Sequence, residues 1–396
     1  MIHNKMFGTS IKNSKICLIH EKKYSSYNNP GDTFVKIFVN NYKDTVVLNN
    51  IPENLEEYLR FGSFDTVIFT NVPTIRPTIY EISKIRETIN VGMFFDDSAQ
   101  YFNNWFRYLT QVIDFALCWE PVDVSLFETY GVSAEHFPGL LNTYLEEILN
   151  HENVDWNNRE IDCLHIGRMD RPGRNSLQSV IEKEFKNTEF WGEGTVNGYI
   201  SAEQYIEKLF NSKIALNNSG CAKYNFVKKS DPIEWRRRQF KGKLFHYFLS
   251  KCLVLTEDSP FLDKYFKDKE DLLIHKNEKE LISNINFAMN NKIEAIKIAN
   301  SGYRKALEYI NTTDNTNKLF ELIKRSQIKK KYRVYSPLYI DKYFSRSIAA
   351  FDGDEIIKKK SSFFKFVKTF NFLLIDLILI KILFRKLVKK FIKKKK

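Results

Sequence analysis

No two cysteines of this chain form a CxxC pair, and the five present, at positions 17, 118, 163, 221 and 252, are far apart and odd in number. They read as reduced thiols of a cytosolic protein rather than a disulfide framework, and three of them fall inside apolar, strand-like runs. Zinc-ligand spacing is missing among the seven scattered histidines, so no metal site is expected. GxGxxG is missing too, which leaves a dinucleotide redox cofactor without support; no cofactor of any kind is expected. The opening MIHNKMFGTSIKNSK has no apolar core, so no secretory signal is expected there. Acidic charge is almost absent from the last forty positions. From Lys358 to Lys396 there are fourteen lysines and arginines against Asp376 alone, which accounts for the whole net charge of +13 and leaves a neutral body.

What is present is ample apolar material. At 43% hydrophobic and 15% aromatic, 396 residues exceed one typical core and suggest two domains with an appendage. Compact apolar strands at Ile16–His20, Thr45–Leu48, Thr66–Thr70, Val91–Phe95, Phe115–Trp119 and Glu135–Phe137 alternate with helical patterns. That alternation predicts βαβ units, a parallel sheet covered on both faces, and ligands beyond the strands' carboxyl ends. His20, Asp96, Asp97 and Glu120 stand at such ends and are candidate general bases, with helix capping as the competing role for Asp97. Trp105, Arg107 and Trp119 line an acceptor cleft or belong to the core.

A polar, acidic stretch, Asn142–Asn158, separates this domain (1–150) from a second (159–327) in which the pattern restarts. Ile161–Ile166 is a strand, and Gly167, Arg168, Arg171 and Arg174 follow in a loop that opens a helix. Guanidinium forks there match phosphate oxygens. Further on, a long polar segment runs from Asn218 to Arg238. The chain then reads QFKGKLFHYFLSKCLVLTED (Gln239–Asp258). Phe240, Leu244, Phe245, Phe248 and Leu249 share one helical face, and Cys252–Leu255 is a buried strand. Lys241, Gly242 and Lys243 at the start of that helix form a second anion corner, unless they are ordinary surface lysines. Two basic, glycine-containing loops in one domain suggest one diphosphate held between them.

These segments resemble the GT-B glycosyltransferases, and within them the spore-maturation (CgeB-like) group with its "glycosyl transferases group 1" second domain. IDCLHIGRMDRPGR, YIEKLFNSKIALNNSG and KGKLFHYFLSKCLVLTED carry the likeness, the last against KGRxFExLxxGxxLLTE. GMFFDD and ALCWEPVDVSLFETYGVSAEHFPG extend it over residues 15–325. The resemblance implies two Rossmann-like domains facing a cleft, an α/β fold with a nucleotide-sugar as donor substrate. Arg168 and Lys243 would neutralise its diphosphate, within a donor-binding set of Gly167, Arg168, Arg171, Arg174, Asn218, Arg238, Lys241, Gly242, Lys243, His246, Thr256 and Glu257. The family's ribose-binding glutamate falls on His246, and Lys251 replaces its glycine. Metal is not implied, and the DxD at Asp352–Asp354 lies outside any βα unit.

After a basic connector the tail reads SSFFKFVKTFNFLLIDLILIKILFRKLVKKFIKKKK. Its longest uncharged apolar run, Thr369–Ile375, is far short of a membrane span. Residues 328–396 are read as a basic connector and an amphipathic tail, the tail lying as a helix on an anionic membrane surface through Lys358–Lys396; the alternative is a packed C-terminal helix with a lysine end. The expectation is therefore a metal-independent glycosyltransferase on the cytoplasmic face of the membrane, acting on a glycan, lipid or protein acceptor. Two other readings stand beside it. One is a catalytically inactive GT-B module that binds sugar nucleotide or a partner; the other is a nucleic-acid binder, which the neutral body opposes.

Overall fold

The computed structural model describes residues 15–20, 32–71, 77, 79–95, 109–137, 144–169, 174–219, 238–310 and 312–330. Asp96, Asp97, Trp105, Arg107, Arg171 and the whole tail lie outside the described residues. In the first domain β1 (Ile16–Ile19), β2 (Thr45–Leu48), β3 (Thr66–Phe69), β4 (Asn90–Phe95), β5 (Phe115–Cys118) and β6 (Ser133–His136) form one parallel sheet, in the order β2-β1-β3-β4-β5-β6. Helices α1 (Asp32–Asn41), α2 (Leu55–Phe61), α3 (Ile79–Thr88) and α4 (Pro121–Thr129) connect these strands. Alternation within single strands divides the core. Cys17 and Ile19 enter one apolar cluster while Ile16 and Leu18 enter the other, so both faces of the sheet are covered.

The second domain repeats the plan with β7 (Ile161–Ile166), β8 (Thr188–Trp191), β9 (Ser212–Asn217), β10 (Leu253–Glu257) and β11 (Leu273–His275), ordered β11-β10-β9-β7-β8 and again parallel. A short helix α5 (Leu145–Asn150) precedes it, and α6 (Arg174–Glu184), α7 (Ala202–Phe210), α8 (Lys243–Leu249) and α9 (Leu262–Tyr265) belong to its connections. Ser201 and Gln204 form a reciprocal capping box that fixes where α7 begins. α10 (Glu278–Asn290) and α11 (Lys292–Tyr309) complete its outer layer.

The last helix among the described residues, α12 (Thr312–Lys330), leaves this domain and lies on the first. Leu319, Leu322 and Ile323 join the cluster that holds Phe34 and Phe38, and Arg325 and Lys318 donate to the carbonyls of Ala134 and His136, each at 2.8 Å. His136 also joins the domains. Its Nδ1 meets the Tyr265 hydroxyl at 2.5 Å, and its Nε2 lies 3.0 Å from the Trp119 carbonyl. A carbonyl only accepts, so Nε2 carries the proton and Nδ1 accepts from Tyr265. Burial, aided by nearby Lys318, pulls the His136 pKa down to about 3, so this junction is built on neutral imidazole.

Candidate functional site

In both sheets the first strand has its later neighbours on two sides, which opens a crevice at its carboxyl end. For the second domain that end is Ile166–Gly167. Gly167 has φ +153°, and a β-carbon there would come within 3.2 Å of Lys243 Nζ. The end of β8 presses in from the side. Gly192, at φ +122°, would place a β-carbon 2.4 Å from the Gly167 carbonyl oxygen, so only glycine fits. Hydrogen bonds lock the two loops: Gly167 N donates to Trp191 O at 2.8 Å, and Met169 N to Glu193 O at 2.7 Å.

Onto this corner the chain brings two cations. Lys243, the first residue of α8, donates to Ile166 O at 2.9 Å. Arg168 follows Gly167 directly and is half exposed, its Nη2 2.8 Å from Glu193 Oε2. Next to Arg168 opens a cleft of about 250 Å³, lined by Gly167, Arg168, Glu193, Tyr199, Tyr205 and Tyr144 among others. Gly167, Arg168 and Lys243 are therefore neighbours, although 75 residues separate Arg168 from Lys243 in sequence.

The rest of the donor set is distributed around that corner. Gly242 is covered, because the Trp119 indole of the first domain lies where a β-carbon would be, 1.8 Å from that position. Its lack of a side chain thus serves a contact between domains. His246 is buried, its Nδ1 2.7 Å from the Tyr205 hydroxyl and its ring edge-on to Tyr205 and Tyr144. Burial raises the Tyr205 pKa well above the ordinary phenol value, so the phenol stays protonated. Glu257 Oε2 accepts from Ser219 N at 3.0 Å and from its hydroxyl at 3.1 Å, and Thr256 Oγ1 accepts from Asn217 Nδ2 at 2.8 Å. These two residues tether the chain leaving β9. Asn218, next to that tether, is buried with an Nδ2 that has no hydrogen-bond partner. Arg238 Nη1 donates to Asp258 O at 3.3 Å, and Lys241 Nζ donates to Gln239 Oε1. Arg174 is the first residue of α6.

In the first domain His20 is buried beyond the end of β1, at that sheet's own crevice. Its Nδ1 lies 2.7 Å from Thr70 Oγ1, whose hydroxyl donates to Ile19 O at 3.2 Å. Glu120 is buried at the start of α4. Sequence reasoning passed over Glu193, whose only signal was its place in a glycine-rich loop, and over the seating of Trp119 on Gly242.

Residues 170–321 match the model of the glycosyl transferase-like family. Over that stretch the chain carries a glycosyl transferase-like domain. Among solved structures it is similar to Anabaena Alr3699/HepE in complex with UDP-glucose, at 8% identity and a TM-score of 0.51, over 78% of this chain and 99% of that one. It is similar as well to the DNA-modifying enzyme beta-glucosyltransferase, solved in the presence and absence of its substrate uridine diphosphoglucose, at 14% identity and a TM-score of 0.50, over 78% of this chain and 99% of that one. At such identities the likeness establishes the fold. No curated protein sequence matches the chain. No helix among the described residues is long and apolar enough to cross a membrane.

Proposed function

We propose that the enzyme takes a glycosyl group from a nucleotide-sugar whose diphosphate sits at the Gly167–Arg168–Lys243 corner, and passes it to a glycan, lipid or protein acceptor at a membrane surface. The observation that supports this reading is the approach of Lys243 Nζ to Ile166 O and Gly167, next to Arg168, at the carboxyl end of β7. As the glycosyl bond breaks, negative charge collects on the departing diphosphate, and fixed cations stabilise it. Lys243 supplies a point charge anchored to Ile166 O, and Arg168 supplies a planar fork of N–H donors. In the first domain His20, beside Thr70, would take the proton of the acceptor hydroxyl as the new bond forms. Asp96 and Asp97 are the other candidates for this base. The tail, 358–396, would bring the enzyme to anionic lipid, each lysine contributing about 1 kcal/mol near the surface.

The test is release of nucleoside diphosphate from a panel of nucleotide-sugars by the purified full chain. The expected result is turnover that falls sharply in Arg168→Ala and Lys243→Ala at unchanged melting temperature. Equal turnover in all three proteins would remove the corner from the reaction.

A further inference from the structure

Trp119 and His136 of the first domain are held by the second domain from two sides. On one side the Trp119 indole covers Gly242, its Nε1, Cε2 and Cζ2 at 1.8, 2.1 and 2.2 Å from where a β-carbon would stand. Gly242 has the helical angles φ −55° and ψ −33°, so its backbone does not call for glycine and the indole does. On the other side the buried His136 ring accepts a hydrogen bond from the Tyr265 hydroxyl at Nδ1 and donates one from Nε2 to the Trp119 carbonyl, at 2.5 and 3.0 Å. Phe240 closes this circle of contacts. Its ring stands edge-on to His136 with centroids 5.9 Å apart, and lies 5.1 Å from that of Tyr265.

The path leaves the second domain at Tyr265, passes through His136 and Trp119, and returns to the second domain at Gly242. Lys243 comes next as the first residue of α8, and Phe245 N donates to Gly242 O at 3.1 Å in the first turn of that helix. The indole therefore bears on the backbone from which Lys243 Nζ reaches Ile166 O. Three contacts in the first domain place the indole: Trp119 N donates to Phe95 O at 3.1 Å, Trp119 O accepts from His136, and Phe94 flanks the ring at 5.7 Å. Of these, the bond through His136 is the one that answers to the second domain. Burial raises the Tyr265 phenol well above its ordinary range, so its hydroxyl keeps the hydrogen that it donates.

We propose that Tyr265 is a positioning residue for donor binding, acting through His136 and Trp119 to seat Gly242 and so hold Lys243 at the diphosphate corner. This rests on the diphosphate assignment above. Donor affinity then depends on contact between the domains, because parting them lifts the indole from the backbone that carries Lys243.

The experiment titrates adenosine, guanosine, cytidine and uridine diphosphates into the full chain and into its Tyr265→Phe, Trp119→Ala and doubly substituted variants, with thermal unfolding recorded beside each. Tyr265→Phe removes one hydroxyl and is expected to weaken the best-bound diphosphate by about fivefold, the worth of one neutral hydrogen bond. Trp119→Ala is expected to weaken it at least as much. The double variant should bind no more weakly than Trp119→Ala alone, because both substitutions cut the same path. Should Trp119→Ala not fold, Trp119→Phe completes the cycle, since a smaller ring leaves part of Gly242 uncovered. Losses that multiply in the double variant mean that Tyr265 acts by another route, and they overturn the inference. Wild-type affinity in either folded single variant, whatever its melting temperature, leaves that residue a merely structural role and overturns it as well. A wild type that binds none of these diphosphates overturns the diphosphate assignment, and this inference with it.

Discussion

Replacing Gly192 with alanine tests whether the packing of two loops shapes the corner. The added β-carbon would lie 2.4 Å from the Gly167 carbonyl oxygen and 2.7 Å from its carbon, both main-chain atoms that no side-chain rotation can clear. At φ +122° alanine would also adopt a conformation that L residues rarely take, at a cost of about 1–3 kcal/mol. Relief requires the loops to part, which strains the bonds from Gly167 N to Trp191 O and from Met169 N to Glu193 O, each worth about 1 kcal/mol. The total is about 3–5 kcal/mol, a fall of roughly 10 °C in melting temperature for a domain of this size. Gly198→Ala is the internal control. Its φ is +66°, but nothing lies within 4 Å of the added carbon, so backbone strain alone remains, at about 1 kcal/mol. Scanning calorimetry on the three proteins, with nucleoside diphosphate affinity measured beside it, separates the two effects. Equal, small losses for both variants, or a Gly192→Ala protein that keeps wild-type affinity, would refute the account of the corner.

His136 is neutral in the fold down to about pH 3, while an unfolded histidine binds its proton near 6.5. The unfolded state therefore holds the extra proton between those values, and stability falls as pH drops from 6.5 toward 3, by up to about 1.4 kcal/mol per unit from this residue; urea midpoints across that range should show a gentler acid limb in His136→Gln, and an identical limb would contradict the assignment. Trp119→Ala should weaken donor binding by freeing the start of α8 beside Lys243, and an affinity equal to wild type in calorimetric titration would mean that the contact with Gly242 does not position the lysine. His20→Gln should lower kcat by about 10²-fold or more with donor affinity unchanged, measured by steady-state kinetics; undiminished kcat would shift the base to another residue. Deleting 358–396 should release the enzyme from anionic vesicles in a sedimentation assay while donor binding persists, and retained sedimentation would refute the tail's role.

Strand identity was readable because parallel, doubly covered strands are short apolar runs, and β2 is Thr45–Leu48 as its composition suggests. The β6 register was less so. Expected at Glu135–Phe137, it begins at Ser133, a polar residue buried in the sheet whose strand character comes from pairing with Phe115. The path of α12 was hidden for a different reason. Leu319, Leu322 and Ile323 announce an apolar face, yet helical spacing does not say which sheet receives it. Within the site, glycines and basic residues marked the corner, since anion chemistry depends on residue type. What closes around it depends on approach in space: Trp119 over Gly242, Glu193 against Arg168, and His246 turned toward Tyr205. Lys251 adds a similar case. It holds φ +55° where the family pattern has glycine, with its ammonium over the Tyr303 ring at 4.7 Å.

The most direct measurement is calorimetric titration of nucleoside diphosphates into the wild type and the Arg168→Ala/Lys243→Ala double variant, with circular dichroism confirming that both are folded. Saturable binding by the wild type and its loss in the double variant is the predicted result. Equal affinity in two folded proteins would contradict it, and the diphosphate would have to lie elsewhere on this chain.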